Sequence, residues 1–369
     1  MTNLQVKADF TGRIMFIGID IHLKNWHVSL YYEQKLIKSF RQEGCPKTLS
    51  NYLNEHYPGA KYVCAYESGF SGFWAQRQLE QLGIECIVVH AADVPQTNKG
   101  KHFKTDKMDS KRIGAALGSG MLRGIYIPEA EAESDRQLVR CNVKLGNDVT
   151  ACKHRIKSML YQLGISIPQQ YNNGNWSNKF MTWLKDLRFE NESTRLALDL
   201  YFQTLLNLRQ EKLNALRQIR RLQNKDRYSK LFKLLTSIPG IGPMTAITLL
   251  TEIVDMKRFN NFDELNSFIG FCPNEYSSGD KERKGRMSFR QHKRLRSLLI
   301  ENAWIAIRND PALLLYYSET KAKLGEKRAI VKIARKLVSR IRMVWNNEKP
   351  YEIGVVATNK IKKQNQIKQ

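Results

Sequence analysis

Four acidic residues in the first third of the chain have the types and positions that suit a metal site. Asp20 lies in the apolar run IMFIGIDI, where a carboxylate is costly to bury unless it is paired or binds a cation. Glu67 ends a second run, KYVCAYE, and Asp106 and Asp109 are three residues apart, so they share one helix face. Because Mg²⁺ prefers carboxylate, water and phosphate oxygens, the four acids predict a site for one or two Mg²⁺ ions.

The two acids of the helix also have an alternative explanation. Asp106 and Asp109 can complement the helix dipole, as acids in a first turn often do. Asp20, inside an apolar run, has no comparable explanation. Lys104 and Thr105 come just before this helix, where we expect them to contact a phosphate.

A second candidate for chemistry is YSSGDKERKGR, residues 276–286. Its two adjacent serines precede Gly279, which permits a tight turn that exposes a hydroxyl. Serine is a weak nucleophile without activation, so a solvated turn and a reactive serine both stay open. The stretch is too polar for a strand or a buried helix, and we expect a turn. Cations that can bind a phosphodiester follow within the stretch and at the start of the next helix: Lys281, Arg283, Lys284, Arg286, Arg290 and Arg294.

SIPGIGPMTAITLLTEI, residues 237–253, has the form of a helix-hairpin-helix. Gly240 and Gly242 permit a tight turn, and Pro243 suits the first position of the second helix. Backbone amides at such a turn and helix start can bind a phosphate, a contact that does not depend on base sequence. A helix pair that serves only packing is the alternative.

The elements that must position these groups fall into several regions. Residues 14–125 alternate strands and helices in the order β-β-β-α-β-α-β-α, which predicts an α/β, ribonuclease H-like domain. In that topology the strand of Glu67 lies beside the strand of Asp20, and the last helix starts near both. Residues 126–229 form a helical connector, and residues 230–348 form a mainly α-helical domain with the hairpin and the serine stretch. Residues 349–369 are a basic tail, and we expect its last part, TNKIKKQNQIKQ, to be disordered.

The connector contains two long helical stretches. Apolar residues recur along the second at mixed helical spacing, which is typical of a helix bundle or a seam between subunits. The heptad pattern is too irregular to establish a coiled coil by itself. These residues are Leu198, Phe202, Leu205, Leu206, Leu213, Leu216 and Leu222.

Charge is the outstanding feature of the composition. Sixty Lys and Arg residues against thirty-five Asp and Glu give a net charge of +25, which indicates a polyanionic partner such as nucleic acid. Solvated basic helix faces are the alternative. The sequence has no apolar run long enough for a membrane span and no apolar segment of a secretory signal. Its six cysteines lack paired spacing and indicate reduced thiols of a cytosolic protein.

Taken together, these motifs resemble the IS110-type transposases, including the related IS1111 group. The four acids with KTDKMDSKRIGAAL resemble the DEDD, RuvC-like domain of that family. IPGIGPMTAITLLTEI, FDELNSFIGFCPNEYSSG, RKGRMS and LRSLLIENAW resemble its C-terminal transposase domain, in the same order. The likeness is specific, because two unrelated motif sets occur together.

The resemblance implies an RNA-guided recombinase, in which a structured bridge RNA pairs with donor and target DNA. It implies that the four acids bind Mg²⁺ and that Ser278 forms a covalent phosphoserine link to DNA. It also implies a dimer-forming coiled coil in the connector, a tetramer on the DNA, and half-sites shared between subunits. The expected location is the bacterial cytoplasm, in association with the nucleoid.

Two points of the sequence leave details open. Gln291 and His292 stand where family members often have a Gly-Asn pair, which affects the turn into the next helix. Ser277 is an alternative nucleophile to Ser278. Two other functions are a metal-dependent nuclease that resolves Holliday junctions by hydrolysis and a non-catalytic nucleic-acid-binding protein. A resolvase has no need of the serine stretch, and the intact set of acids argues against a purely binding protein.

Overall fold

The computed structural model describes residues 9–95, 105–172, 174–278, 281–287 and 291–353, with backbone alone for 274–278 and 281–287. The chain divides into two compact units, Met1–Ile127 and Pro128–Gln369. The first is the predicted ribonuclease H-like α/β domain and the second is mainly helical, so the predicted fold class is confirmed. The division of the second unit into connector, C-terminal domain and tail stays a prediction.

The elements of the first unit follow one another in the predicted order. Its strands and helices are β1 (Ile14–Ile21), β2 (Asn25–Tyr32), β3 (Lys35–Glu43), α1 (Pro46–His56), β4 (Lys61–Glu67), α2 (Trp74–Gln81), β5 (Glu85–Val89) and α3 (Asp106–Gly118). The sheet order is β3-β2-β1-β4-β5, with β2 antiparallel to β1 and β3, and β4 parallel to β1 and β5. The strands that carry Asp20 and Glu67 are therefore neighbours.

Side-chain alternation along β1 decides which face of the sheet Asp20 occupies. Ile19 is fully buried in a core shared with Leu49 of α1, and burial of such a side chain contributes about 1.5–3 kcal/mol. Phe16 packs on the opposite face, in a smaller core with Ile113 of α3. Asp20 has the same parity as Phe16, so it lies on the face that α3 covers.

Helix α3 lies directly against β1 because two glycines remove side chains from the contact. A Cβ atom at Gly18 would lie 2.1 Å from the carbonyl oxygen of Ser110 and 2.2 Å from the amide nitrogen of Gly114. A Cβ atom at Gly114 would lie 2.7 Å from the ring of Tyr31. The hydroxyl of Ser110 is 2.9 Å from that of Ser29. This close contact determines how near the start of α3 comes to the end of β1.

The second unit consists of helices and one β-hairpin. Its helices are α4 (Ala130–Gln162), α5 (Asn178–Asp186), α6 (Glu192–Leu222), α7 (Asp226–Thr236), α8 (Pro243–Ile253), α9 (Phe262–Ile269), α10 (Lys293–Asn309), α11 (Pro311–Leu324) and α12 (Glu326–Asn347). The hairpin strands are β6 (Pro273–Ser278) and β7 (Lys281–Met287). In the described part of the chain, no helix combines the length and apolar character needed to cross a bilayer.

The long helices α4 and α6 pack along each other, and α5 contributes side chains to the core that they share. Leu198 and Leu205 of α6 are fully buried in this core, whereas Leu206 and Leu213 are exposed. The apolar stripe of α6 is thus divided between an internal contact and the solvent. A separate core surrounds α8, which is buried from Thr245 to Ile253.

Candidate functional site

The end of β1 and the start of α3 bring two of the predicted acids together. Asp20 is the penultimate residue of β1, and Asp106 is the first residue of α3, whose N-cap is Thr105. The imidazole of His22 lies between the two carboxylates. Its Nε2 atom is 3.3 Å from Oδ2 of Asp20 and 3.5 Å from Oδ1 of Asp106. One ligand atom from each of the three residues lies within 4.8 Å of the others.

The electrostatics of this group favour a bound cation. Burial raises the pKa of the Asp20 carboxyl group; the neighbouring His22 opposes that rise, and the charge of Asp106 adds to it. A cation between the carboxylates would stabilise both in their charged forms. Two carboxylate oxygens and an imidazole nitrogen are also common ligands of divalent ions. The residues present therefore fit a divalent metal ion.

Glu67 is the last residue of β4, next to the end of β1. Ile19 pairs with Tyr66 in the parallel β1–β4 ladder, so the following residues, Asp20 and Glu67, are neighbours on the sheet. The two residues also share the parity that faces α3. Within the described residues, Glu67 does not belong to the three-residue group around His22.

Asp109 is buried and has a different partner. Its carboxylate pairs with the guanidinium of Arg112, three residues further along α3. In the part of the chain that the structure describes, Asp109 too lies outside the group around His22. A role of Asp109 as a metal ligand stays a prediction, and the pairing with Arg112 involves only its Oδ1 atom.

His22 is a candidate functional residue that is absent from the sequence-based predictions. It follows Asp20 by two residues, and alternation along extended chain places such residues on one face. An Asp-x-His pattern at the end of an apolar strand was therefore a usable signal.

Thr105 caps the start of α3. Its hydroxyl accepts a hydrogen bond from the Met108 amide at 3.4 Å, and the predicted phosphate contact of Thr105 stays a prediction.

The described residues of the serine stretch lie in two paired strands, although the stretch was predicted to be too polar for a strand; the predicted tight turn at Gly279 lies outside the described residues. Ser278 is the last residue of β6 and pairs with Lys281 of β7, while Ser277 pairs with Glu282. Polar residues are compatible with these strands because backbone hydrogen bonds, not a buried apolar face, define the pairing. Lys281, Arg283, Lys284 and Arg286 all lie in β7. Lys104 and Arg290 lie outside the described residues.

Direct contacts hold the two ends of the hairpin segment together. Gly270 has a φ of +92°, and a Cβ atom there would lie 2.3 Å from Cβ of Gln291. The amide of His292 donates to the carbonyl oxygen of Phe268 at 3.1 Å. The guanidinium of Arg296 donates to the carbonyl oxygen of Gly270 at 3.4 Å. The segment between Gly270 and Gln291 therefore begins and ends at one place in the second unit.

Two regions of the chain match known protein families. Residues 17–165 match the DEDD_Tnp_IS110 family, described as "Transposase". Residues 232–318 match a family described as "Transposase IS116/IS110/IS902 family". The chain belongs to the IS110 family of transposases. Membership of the DEDD group suggests a divalent metal site, in agreement with the chemistry of the group around His22.

Individual relatives of this IS110-family protein have low sequence identity to it, but their alignments cover more than half of the chain. The transposase for insertion sequence element IS1533 of Leptospira borgpetersenii is 25% identical over 303 residues, which are 79% of this chain and 85% of the relative. The transposase for IS1111A of Coxiella burnetii is 25% identical over 264 residues, 69% and 70% of the two chains. The protein y4qE of Sinorhizobium fredii is 25% identical over 243 residues, and the chain spans 58% of its length.

The turn between α7 and α8 in this IS110-family protein has two glycines with different surroundings. Gly240 has a φ of +88°, and a Cβ atom there would lie 2.6 Å from the carbonyl oxygen of Asn302 in α10. Gly242, the N-cap of α8, has a φ of −82°, and no described atom lies within 4 Å of an added Cβ. A cavity of about 690 Å³ borders the turn and is also lined by Arg220 of α6. The predicted phosphate contact of this turn stays a prediction, and only Gly242 has open space beside it.

A buried glutamate joins three helices near the base of the β6–β7 hairpin. Glu252 of α8 is 2% exposed and accepts two hydrogen bonds from Arg140 of α4, at 2.9 and 2.7 Å. His292, the N-cap of α10, is 3.1 Å from the same carboxylate through Nε2. Because Nδ1 of His292 accepts the amide proton of Leu295, Nε2 carries the proton that is donated to Glu252. Burial alone would raise the pKa of Glu252, but the hydrogen bonds from His292 and Arg140 outweigh it and lower the pKa to about 2.

Arg294, a predicted contact to nucleic acid, takes part in the same cluster. Its guanidinium donates to the carbonyl oxygen of Val139 at 3.2 Å and lies 3.7 Å from Oε1 of Glu252. In this arrangement Arg294 links α10 to α4. Its contact with nucleic acid stays a prediction.

A basic groove that the sequence analysis did not identify lies along α12. The groove has a volume of about 290 Å³ and is lined by Phe262, Tyr316, Lys332, Arg335, Lys336 and Ser339. Lys336 lies 5.3 Å from the centre of the Tyr316 ring. Among the described residues, the three cations of the groove have no carboxylate partner. Unpaired cations in a groove suit a phosphate backbone.

Proposed function

We propose that this IS110-family protein is the transposase of an insertion sequence and exchanges DNA strands under the guidance of a bridge RNA. The observation that carries the proposal is the approach of Asp20 and Asp106 in a chain in which two regions match IS110-type families. A carboxylate site of this kind is suited to phosphodiester chemistry. The protein would act as a DNA recombinase and not only as a binding protein.

Mg²⁺ is the proposed ion, held by the acids Asp20, Glu67, Asp106 and Asp109. When bound, it would neutralise charge that develops on the phosphodiester oxygens. The approach of Asp20 and Asp106, and the position of Glu67 beside Asp20, support this assignment. The pairing of Asp109 with Arg112 makes Asp109 the least supported of the four.

Ser278 is the proposed nucleophile. Its hydroxyl oxygen would attack a DNA phosphorus atom, form a phosphoserine ester and release the DNA oxygen, which takes up a proton. A hydroxyl of the exchanged strand would then attack the phosphoserine, restore a phosphodiester and free the serine. Its position as the last residue of β6, in a segment whose ends are held together, supports a role that requires fixed placement.

The proposed partners are donor and target DNA, the bridge RNA and further copies of the chain. The net charge of +25 and the groove along α12 support binding of nucleic acid. Four leucines exposed on α6 support a dimer through the connector, with a tetramer on the DNA. These leucines are Leu196, Leu200, Leu206 and Leu213. The proposed location is the bacterial cytoplasm, with the nucleoid.

Trapping of a protein–DNA adduct tests the proposal. The full-length protein, its bridge RNA and nicked donor DNA are incubated with Mg²⁺ and separated on a denaturing gel. We expect an adduct with the unchanged protein and with Ser277→Ala, and none with Ser278→Ala, while RNA binding persists in all three. An adduct that is lost in Ser277→Ala and kept in Ser278→Ala would move the role to Ser277.

The same assay, repeated with a Holliday junction as the substrate, separates the alternatives. Metal-dependent cleavage of a Holliday junction without any adduct would identify a RuvC-type nuclease. Binding without cleavage or adduct would identify a non-catalytic protein. Asp20→Asn should stop strand exchange, and full activity in that variant would contradict the proposed metal site.

A further inference from the structure

We propose that His22 is a direct ligand of the cation site and that its nitrogen makes the site bind Mn²⁺ more tightly than Mg²⁺. The inference rests on the proposed metal site and adds to it a residue and an ion preference. It concerns the group formed by Asp20, His22 and Asp106.

Two separations within the group are close to those of ligands around one ion. Neighbouring ligand atoms on an octahedral ion are about 3 Å apart, because each bond is about 2.0–2.1 Å long. Nε2 of His22 is 3.3 Å from Asp20 and 3.5 Å from Asp106. Only small side-chain movements would bring all three atoms onto one cation.

An ion pair or hydrogen bond between His22 and Asp20 is the alternative to a bound cation, and only a bound Mn²⁺ ion would couple to the imidazole nitrogen. One ring nitrogen donates only one proton, whereas Nε2 of His22 lies between two carboxylates. A cation shared by the three groups would satisfy both carboxylates and the nitrogen lone pair at once.

The donor set predicts the ion preference. Mg²⁺ strongly prefers oxygen ligands, whereas Mn²⁺, the first ion of the transition-metal affinity series, accepts imidazole nitrogen as well as carboxylate oxygen. A site with two carboxylates and one imidazole should therefore hold Mn²⁺ more tightly than a site of carboxylates alone. Mg²⁺ can still bind, through the oxygens of Asp20 and Asp106.

His27 provides a matched control. It lies on β2 directly opposite Asp20 in the antiparallel ladder, so it is a second imidazole close to the same acid. In the described part of the chain, it is not a member of the three-residue group. Replacing His27 therefore removes an imidazole of the same neighbourhood without removing the proposed ligand.

The experiment measures Mn²⁺ binding to the full-length protein without nucleic acid. Electron paramagnetic resonance follows free Mn²⁺ during titration, and pulsed measurements on bound Mn²⁺ detect coupling to a directly bonded imidazole nitrogen. We expect nitrogen coupling in the unchanged protein and in His27→Asn, and its loss in His22→Asn with affinity reduced about ten-fold or more. His22→Asp should restore binding through oxygen, with the preference for Mn²⁺ over Mg²⁺ reduced.

The outcomes separate this inference from the proposed function. Two results would overturn the role of His22. One is nitrogen coupling that persists in His22→Asn, and the other is bound Mn²⁺ without nitrogen coupling in the unchanged protein. If either result is found and Asp20→Asn removes Mn²⁺ binding, the metal site itself stands. If Asp20→Asn leaves binding unchanged, the proposed metal site fails as well. Thermal unfolding of each metal-free variant verifies that it is folded. The His22 variants should unfold at the same temperature as the unchanged protein, because the His22 side chain is 48% exposed and does not belong to the core.

Discussion

The backbone nitrogen of Gly18 lies 3.1 Å from the position that a Cβ atom on Gly114 would occupy. At this point β1 and α3 touch through backbone atoms. Asp20 follows Gly18 by two residues, and Asp106 lies about two turns before Gly114 on the helix. The separation of Asp20 and Asp106 therefore depends on the backbone contact between Gly18 of β1 and Gly114 of α3, where neither residue has a side chain.

Replacing Gly18 should disturb both stability and the site. We expect Gly18→Ala to lower the free energy of unfolding by about 1–3 kcal/mol, because its methyl group meets the backbone of α3. Mn²⁺ affinity should fall in the same variant as Asp20 and Asp106 move apart. Urea unfolding and Mn²⁺ titration measure the two effects. Gly69→Ala is the control, since no described atom lies within 4 Å of its added Cβ, and equal effects in both variants would contradict the role of the contact.

The two glycines of the α7–α8 turn should respond differently to serine. Gly240→Ser should lower stability by about 1–3 kcal/mol, because φ is +88° and the Asn302 carbonyl oxygen lies in the way. Gly242→Ser should leave stability unchanged, because serine is a favourable N-cap and the space is open.

Gly242→Ser is therefore the clean test of the predicted phosphate contact. We expect weaker binding of duplex DNA of any sequence, because an added side chain hinders approach of a phosphate to the turn. Fluorescence anisotropy with two unrelated duplexes measures this effect. Unchanged affinity for both duplexes would favour the packing-only explanation of the helix pair.

Glu252 should make the stability of the second unit sensitive to acid. Its pKa is about 2 in the folded protein against an ordinary value of 4.5, so the unfolded state binds the proton first. The stabilising contribution is complete above about pH 4.5, amounts to about 3 kcal/mol, and is lost as the pH falls towards 2.

Urea midpoints between pH 7 and pH 3 measure this dependence. The difference in midpoint between the unchanged protein and Glu252→Gln should be largest at pH 7 and should shrink below about pH 4.5. Glu301→Gln, at an exposed position of α10, is the matched control and should have little effect. A constant difference across the range would show that the carboxylate charge is not the source of the stability.

The groove along α12 should contribute to nucleic-acid binding through charge alone. We expect duplex affinity to fall steeply with salt, and the Lys332→Ala, Lys336→Ala double variant to reduce the logarithmic salt slope by about two. Lys61→Ala is the control, because Lys61 is paired with Glu85 at 2.8 Å. A salt slope that is unchanged in the double variant would exclude the groove from the binding surface.

Much of the fold follows from local patterns in the sequence. The apolar runs and helical stretches predicted the element order of the first unit, because alternation and helical spacing are properties of neighbouring residues. The polar stretch 276–286 was the exception. Its described residues lie in paired strands although the stretch was predicted to be too polar for a strand, because pairing depends on a partner strand and not on apolar residues.

The sequence by itself determined the type of domain, the candidate acids and the family to which the chain belongs. Only the tertiary structure decided how these acids are used: Asp106 approaches Asp20, Asp109 pairs with Arg112, and His22 enters between the carboxylates. These partners of the acids depend on the packing of α3 against β1, which joins residues more than eighty positions apart. Local spacing limits which face each residue occupies, but contacts between distant elements determine which partners that face meets.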